Sequence, residues 1–364
     1  MIITTSICAN YLPKAMALAE SVKNVNPKHV FVLCLVEREV APEAADFVAF
    51  DKVVLAKDLG IESFERFIFR HSIVEASTAV KGNLFEFLFR EFPDEDRFVY
   101  LDPDTYVYSD LYEVAELLAD QPIILAPHLL QPGHIEMELS SLKHGVFNLG
   151  FLAVNRSPEA QRFIQWWTQR LSRYCYDDIA AGIFTDQKWI NLVPCFFDSY
   201  ILKHPGYDFA TWTLKTSFVA RQGALLTVDG KPLRFIHYSG YDSGTIEWAM
   251  REWLPPDQSA FRELYAGYSE ILAVHDSKAL SRLAWSYRTY DSGEKIQDKA
   301  RLIYRELDIA GDPFTLSNAL ILGMHPQADE QKEKLLRKAL RVLREEGVGS
   351  LLAKTQRYVT RSRS

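Results

Sequence analysis

Apolar and polar positions along this chain fall into two rhythms. Short apolar runs rich in β-branched and aromatic residues, at 1–7 (MIITTSI), 30–36 (VFVLCLV) and 97–101 (RFVYL), have the length and content of buried strands. Between the first two, Leu12, Met16, Leu18, Ala19 and Val22 recur at helical spacing. Pro13 fits the first turn of that helix, and Asn26-Pro27 stops it. A strand, a helix and a strand within about forty residues predict the opening of a doubly wound α/β sheet.

The pattern continues in the same style. A third strand is expected at 48–55, then helices at 62–74 and 78–92. The second of these carries Val80, Leu84, Phe87, Leu88 and Phe92 on one face. A polar turn, Pro93-Asp94-Glu95-Asp96, precedes the 97–101 strand. A helix at 111–118 and a strand at 123–126 follow. Residues 127–144, with Pro127, Pro132 and Gly133, read as a long loop, a candidate lid or acceptor loop. A strand at 145–155 leads to Ser157-Pro158-Glu159, a helix start with Ser as N-cap and Pro at N1. Thr185-Asp186-Gln187-Lys188 opens a shorter helix, and short strands are expected near 218–221, 225–228 and 233–237. After Pro255-Pro256 only helices are expected, at 258–273, 278–287, 296–307 and 329–346. This divides the chain into 1–255, an α/β domain with a Rossmann-like mixed sheet, and 256–364, a helical C-terminal extension.

Composition changes the picture in three places. At 364 residues, 48% hydrophobic and 13% aromatic, the chain has ample material for a packed core. Its net charge of −7 is uneven: Lys332 to Ser364 hold ten Lys/Arg against three Glu, so the body is strongly acidic and the tail basic. An acidic body argues against a nucleic-acid partner, and the basic tail suits peripheral contact with an anionic membrane surface. Cys8, Cys34, Cys175 and Cys195 show no C-x-x-C spacing, and Cys8 and Cys34 lie in apolar runs. MIITTSICAN has no basic leader segment, and the longest apolar runs are too short to span a bilayer. Together these point to a reduced, cytoplasmic setting.

The candidate chemistry sits where the 97–101 strand ends, at Asp102-Pro103-Asp104. Proline cannot extend a strand ladder, so two carboxylates are left at a sheet edge, where open α/β sheets place their ligands. Such a pair suits a hard divalent cation, and that cation suits a diphosphate. Asp94/Asp96 has the same spacing in a charged turn and reads as a solvated loop, so spacing alone does not make a site. A second signal is Phe235-Ile236-His237-Tyr238-Ser239-Gly240, a histidine ending an apolar strand with a glycine three residues on. His237 could be a third ligand or a core-edge histidine; as a ligand, a His–Asp–Asp set favours Mn²⁺ over Mg²⁺. The first strand lacks a following G-x-G-x-x-G, so a dinucleotide site is not indicated.

The succession VYLDPDTYVYSDL, FNLGFLAVN, TDQKWINLV and FIHYSG resembles the A-type glycosyltransferase fold, and family 8 of the glycosyltransferases in particular. The opening ITTSICANYLPKAMALAESV is similar to that family's nucleotide-binding start, and the resemblance spans about residues 1–242. It implies transfer of a sugar from a nucleotide-diphosphate sugar, UDP-sugar by preference, with retention, to a polysaccharide or glycolipid acceptor. It further implies that Asp102, Asp104 and His237 hold the metal, and that Thr5, Asn10 and Tyr11 line the nucleoside pocket. Lys81 would contact donor phosphate or sugar, Asn148 and Gly150 would read the sugar, and Asp186 and Gln187 would flank its reacting carbon. Gly240 would let backbone approach a phosphate. The chain departs from the family twice. No lysine follows the His–Gly pair, which continues Tyr241-Asp242-Ser243-Gly244, and Lys188 stands where an Asp-Gln-Asp pattern has its last Asp. Two other readings stay open: Leu101-Asp102-Pro103-Asp104-Thr105 also fits the D-x-D-x-T motif of haloacid-dehalogenase-like phosphatases, with Asp102 as nucleophile, and a non-catalytic sugar-nucleotide module would use the same pocket.

Overall fold

The computed structural model describes residues 1–256, 258–307 and 309–324. These divide into two compact units, one running from Met1 to Thr289 and one beginning at Tyr290.

The first unit is built on strands β1 (Ile2–Ile7), β2 (Val30–Leu35), β3 (Lys52–Leu55), β4 (Arg97–Leu101), β5 (Thr105–Val107), β6 (Ile123–Pro127), β7 (Phe147–Asn155), β8 (Tyr200–Ile201), β9 (Phe209–Ala210) and β10 (Phe235–His237). Seven of them form one mixed sheet in the order β8-β6-β7-β4-β1-β2-β3. β1, β2, β3 and β4 run parallel, while β7 runs antiparallel to both β4 and β6. The α/β architecture expected from the alternation is therefore present. β7 is buried at all nine positions, which is why it reads as a continuous apolar run. A smaller sheet, β9-β10-β5, stands beside it.

The helices of the first unit include α1 (Leu12–Val25), α2 (Ile73–Ala79), α3 (Lys81–Glu91), α4 (Ile135–His144), α5 (Pro158–Tyr174), α6 (Thr245–Glu252) and α7 (Ser259–Val274). α1 begins and ends where its apolar spacing and Asn26-Pro27 place it. Ser157 caps α5 by accepting from the Ala160 N–H, as its N-cap signature predicts. Leu12, Leu18, Phe31, Val99 and Phe151 meet in the main core between α1 and the sheet. Ile236, Tyr238, Ile246, Phe261 and Tyr268 form a second core beneath α6 and α7.

Several elements differ from their expected form. The expected helices 62–74 and 78–92 are three, with Phe64–Phe69 separate, because Ser72 and Glu75 form a capping box that starts α2 afresh. The third strand begins only at Lys52, since Val48 is exposed in a turn. The second half of the expected 127–144 loop is α4, whose residues are all at least partly exposed, so no buried stripe marked it. The compact unit continues past Pro255-Pro256 to Thr289, because α7 packs against α1 and Trp285 donates to the Val36 carbonyl. The expected 278–287 helix is one short turn, Ser277–Leu280.

The second unit contains the helices Asp298–Glu306 and Asn318–Met324, joined through Asn318, whose amide donates to the Lys295 carbonyl and to Glu294. The expected helix 329–346 and the basic stretch from Lys332 lie outside the described residues. Among the described residues, no helix is long and apolar enough to cross a membrane.

Candidate active site

The chain leaves β4 at Leu101 and turns at once. The Thr105 N–H donates to the Asp102 carbonyl across Pro103, a four-residue turn with proline at its second position. That turn carries the chain from the large sheet into β5 of the small one, so Asp102 and Asp104 stand at the junction. β5 pairs antiparallel with β10, Thr105 opposite His237, which brings a residue 133 positions away beside Asp104. The His237 Nε2 lies 3.1 Å from Asp104 Oδ1 and 4.0 Å from Asp102 Oδ2. One ligand atom from each of Asp102, Asp104 and His237 falls within 4.8 Å of the others.

This donor set fits a divalent cation. The His237 Nδ1 is 3.3 Å from Asp208, a buried carboxylate, which leaves Nε2 as the nitrogen turned to the two aspartates. Burial opposes charge on Asp104, yet the His237 charge and hydrogen bond outweigh it and pull its carboxyl down to about 2. Burial likewise disfavours the His237 cation, but Asp104 and Asp208 raise its pKa well above the ordinary imidazole value. Burial pushes Asp208 up to about 6.

The cluster opens into a cavity of about 1130 Å³. Because β1 and β4 are parallel neighbours, the segment after β1 reaches the same edge, and Asn10 and Tyr11 join the wall. Asn148, Asp186 and Gln187 line it. Thr5 does not: it is buried within β1, and Ser6 and Ile7 are the strand residues at the wall. Gly150 lies behind the site. A Cβ there would stand 2.5 Å from His237 Cε1, so this glycine seats the histidine ring. Gly240 is also outside the wall; at φ 86° it turns the chain so that Tyr241 and Asp242 face the cavity.

Lys81 is buried and fully engaged. Its Nζ meets the Leu149 carbonyl at 2.9 Å, Asp186 Oδ2 at 2.9 Å and Asp102 Oδ1 at 3.2 Å. It donates to the Leu149 carbonyl and to Asp102, and it is ion-paired with Asp186. Lys81 therefore ties Asp102 to Asp186. Burial raises the Asp186 pKa, and Lys81 works against that rise. Thr185, at φ 44°, is a β-branched residue in the left-handed region, a strained geometry of about 1–3 kcal/mol that sets Asp186 into the wall. Gln187 accepts from the Leu149 N–H and donates to the His144 carbonyl, so it joins β7 to the end of α4. Lys188, the departure from the Asp-Gln-Asp pattern, donates to the Leu142 and Lys143 carbonyls and fastens the C-terminal turn of α4.

The sequence reading missed three wall or supporting residues: Trp212, Asp208 and Lys14. Trp212 lines the cavity edge-on to both His237 and His128, and its buried indole N–H has no partner. His128, which burial holds near a pKa of about 4, accepts from the Asn148 amide. Asp208 and Lys14 had no motif to announce them. His128 and His144 both line the cavity, whereas His134, from the same stretch, does not.

No family model matches the chain. A 154-residue stretch is 25% identical to the uncharacterized protein YfnF of Bacillus subtilis (strain 168), covering 41% of this chain and about half (51%) of that protein. Over 307 residues it is 22% identical to the uncharacterized protein YfnD of the same organism, covering 75% of this chain and 96% of that one. Among solved structures it is similar to the galactosyltransferase LgtC in complex with donor and acceptor sugar analogues, with 16% identity, TM-score 0.43, and coverage of 79% and 99%. It is also similar to the glycosyltransferase GlyE of Streptococcus pneumoniae TIGR4, with 17% identity, TM-score 0.44, and coverage of 78% and 65%. A third is mouse xyloside xylosyltransferase 1 in its apo form, with 15% identity, TM-score 0.39, and coverage of 65% and 96%.

Proposed function

We propose that the chain is a metal-dependent glycosyltransferase of the A-type fold, moving a sugar from a nucleotide-diphosphate sugar, UDP-sugar by preference, to a saccharide or glycolipid acceptor at the cytoplasmic face of a membrane. The observation that carries this reading is the Asp102–Asp104–His237 cluster in one cavity with a buried Lys81–Asp186 pair. Asp102, Asp104 and His237 would hold Mn²⁺, or Mg²⁺ less well. Bound there, the ion would supply Lewis-acid stabilisation of negative charge on the diphosphate.

The chain's own residues account for the rest. Asn10 and Tyr11 bound the nucleoside end. Asp186 presents negative charge toward a sugar carbon that becomes cationic, and Gln187, held at both ends of its amide, keeps that segment in register. Asp186 is poorly placed as a general base, because its carboxylate is committed to Lys81. That favours retention: the acceptor hydroxyl attacks from the side the diphosphate leaves, the C–O bond to the acceptor forms as the bond to phosphate breaks, and the proton passes to the departing phosphate oxygen. Trp212 offers its unpartnered N–H to a sugar hydroxyl.

The test incubates purified protein with Mn²⁺ and a panel of nucleotide sugars and measures release of the nucleoside diphosphate. Slow donor hydrolysis, lost in Asp104→Ala together with about 100-fold in metal-dependent nucleotide affinity, is the expected result. Turnover of phosphomonoesters alone would favour a phosphatase, and Asp104→Ala binding like the wild type would remove the site.

A further inference from the structure

Three lysines line the cavity, Lys14, Lys81 and the exposed Lys278, and the two buried ones are held on different terms. Lys81 donates to the Leu149 carbonyl and to Asp102 and is ion-paired with Asp186, so its charge is already met by two carboxylates. Lys14, in the first turn of α1, is also buried, and its Nζ pairs with Asp242 Oδ2 at 2.6 Å. The partners differ sharply in access: the side chain of Lys14 is 8% exposed and that of Asp242 is 56% exposed. The Lys14 ammonium also lies 4.3 Å from the Tyr11 ring centre. Lys14, Tyr11, Tyr241 and Asp242 line the same cavity as Asp102 and Asp104.

A buried ammonium needs an anion, since stripping it of water unpaired is strongly unfavourable. A half-exposed carboxylate on a turn is an anion that can leave, because its own charge is readily taken up by water. Asp242 sits in the turn after Gly240, between helix α6 and the end of β10, and the Ser243 hydroxyl beside it bonds only within that turn, to the Gly240 carbonyl and Thr245. Besides Lys14, the Asp242 carboxylate meets the Tyr11 hydroxyl, a second group of the cavity wall.

We propose that Lys14 and Asp242 form an anion-exchange site, in which a diphosphate entering the cavity takes the place of Asp242 on Lys14. The inference rests on the nucleotide-sugar reading and deepens it. It supplies, from α1, the cation that the sequence lacks after its His–Gly pair. It also gives Asp242 a role in the resting protein: keeping a buried charge neutralised until the ligand arrives.

The test measures binding of UDP, uridine and inorganic pyrophosphate to the full chain with Mn²⁺ by titration calorimetry. Lys14→Met should weaken UDP about tenfold or more while leaving uridine unchanged, and Lys14→Arg, which keeps the charge, should stay within a few-fold of wild type. Asp242→Asn should bind UDP several-fold more tightly, and most of that gain should vanish when Lys14→Met is added. UDP bound equally by wild type and Lys14→Met, or weakened by Asp242→Asn, overturns the inference while leaving the donor reading in place. Pyrophosphate bound as tightly as UDP, with the same dependence on Lys14, identifies an inorganic phosphate site and overturns the donor assignment. A wild-type chain that binds none of UDP, GDP, CDP, ADP and dTDP overturns the reading and the inference together.

Discussion

The metal end of the cavity and the helix that walls its other side are built in opposite ways. Asp102, Asp104 and His237 stand on the ends of strands, and Asp186 and Lys81 are almost wholly buried between them. Their charges are paired, and their backbones are fixed by sheet register. α4 has no buried side chain and leaves Ile135, Leu139 and Leu142 exposed. It is held chiefly at one end, where Lys188 and Gln187 bind its last carbonyls and Asn191 accepts from the Val146 N–H. Gly145, at φ 134°, joins that fastened end to β7. The contrast teaches where preorganisation is needed: charge stabilisation depends on fixed groups, whereas a wall helix without buried side chains can shift without disturbing them.

Three measurements would break or sharpen this comparison. The largest effect belongs to Lys81→Met, which leaves Asp102 and Asp186 without their shared cation in a buried setting. A loss of about 3–5 kcal/mol in unfolding free energy is expected by denaturant titration, and a change below 1 kcal/mol would show that the pair contributes little to the donor end.

Next comes pH. In the metal-free protein the His237 pKa is raised, so its ion pairs stabilise the fold below the ordinary imidazole pKa, and that contribution fades as pH rises through the raised value. Metal must displace the same proton. Mn²⁺ affinity should therefore climb by about tenfold per pH unit from near-neutral pH until His237 is deprotonated, measured as free Mn²⁺ by electron paramagnetic resonance. A flat profile would remove His237 from the ligand set.

The smallest effect is expected on α4. Leu139→Glu should change stability by no more than about 0.5 kcal/mol and leave donor hydrolysis intact, because the side chain is exposed. A loss comparable to that of Lys81→Met would mean that α4 is as firmly packed as the metal end.

Much of this molecule is legible in the sequence by itself. The strand–helix–strand opening, the bounds of α1, the capped start of α5 and the Asp102-Pro103-Asp104 strand end all follow from local rules of spacing, capping and proline geometry. His237 could be singled out because it ends an apolar strand. α4 could not, since a helix without a buried stripe has no periodic signature against polar loop residues. Lys81 was visible as a candidate, but its role was not, because only the fold shows it paired with both Asp102 and Asp186.

The rest was decided by tertiary structure. The register of β5 against β10 sets His237 beside Asp104, and the turn after Gly240 sets Asp242 on Lys14 across 228 positions of chain. Asp208 backs His237, and Trp212 lies edge-on to it, with no motif to mark either. The physical reason is one of range. Helix and strand preferences act over a few residues and are written locally, whereas the partner of a buried charge is fixed only when sheet register and packing bring distant segments to the same point.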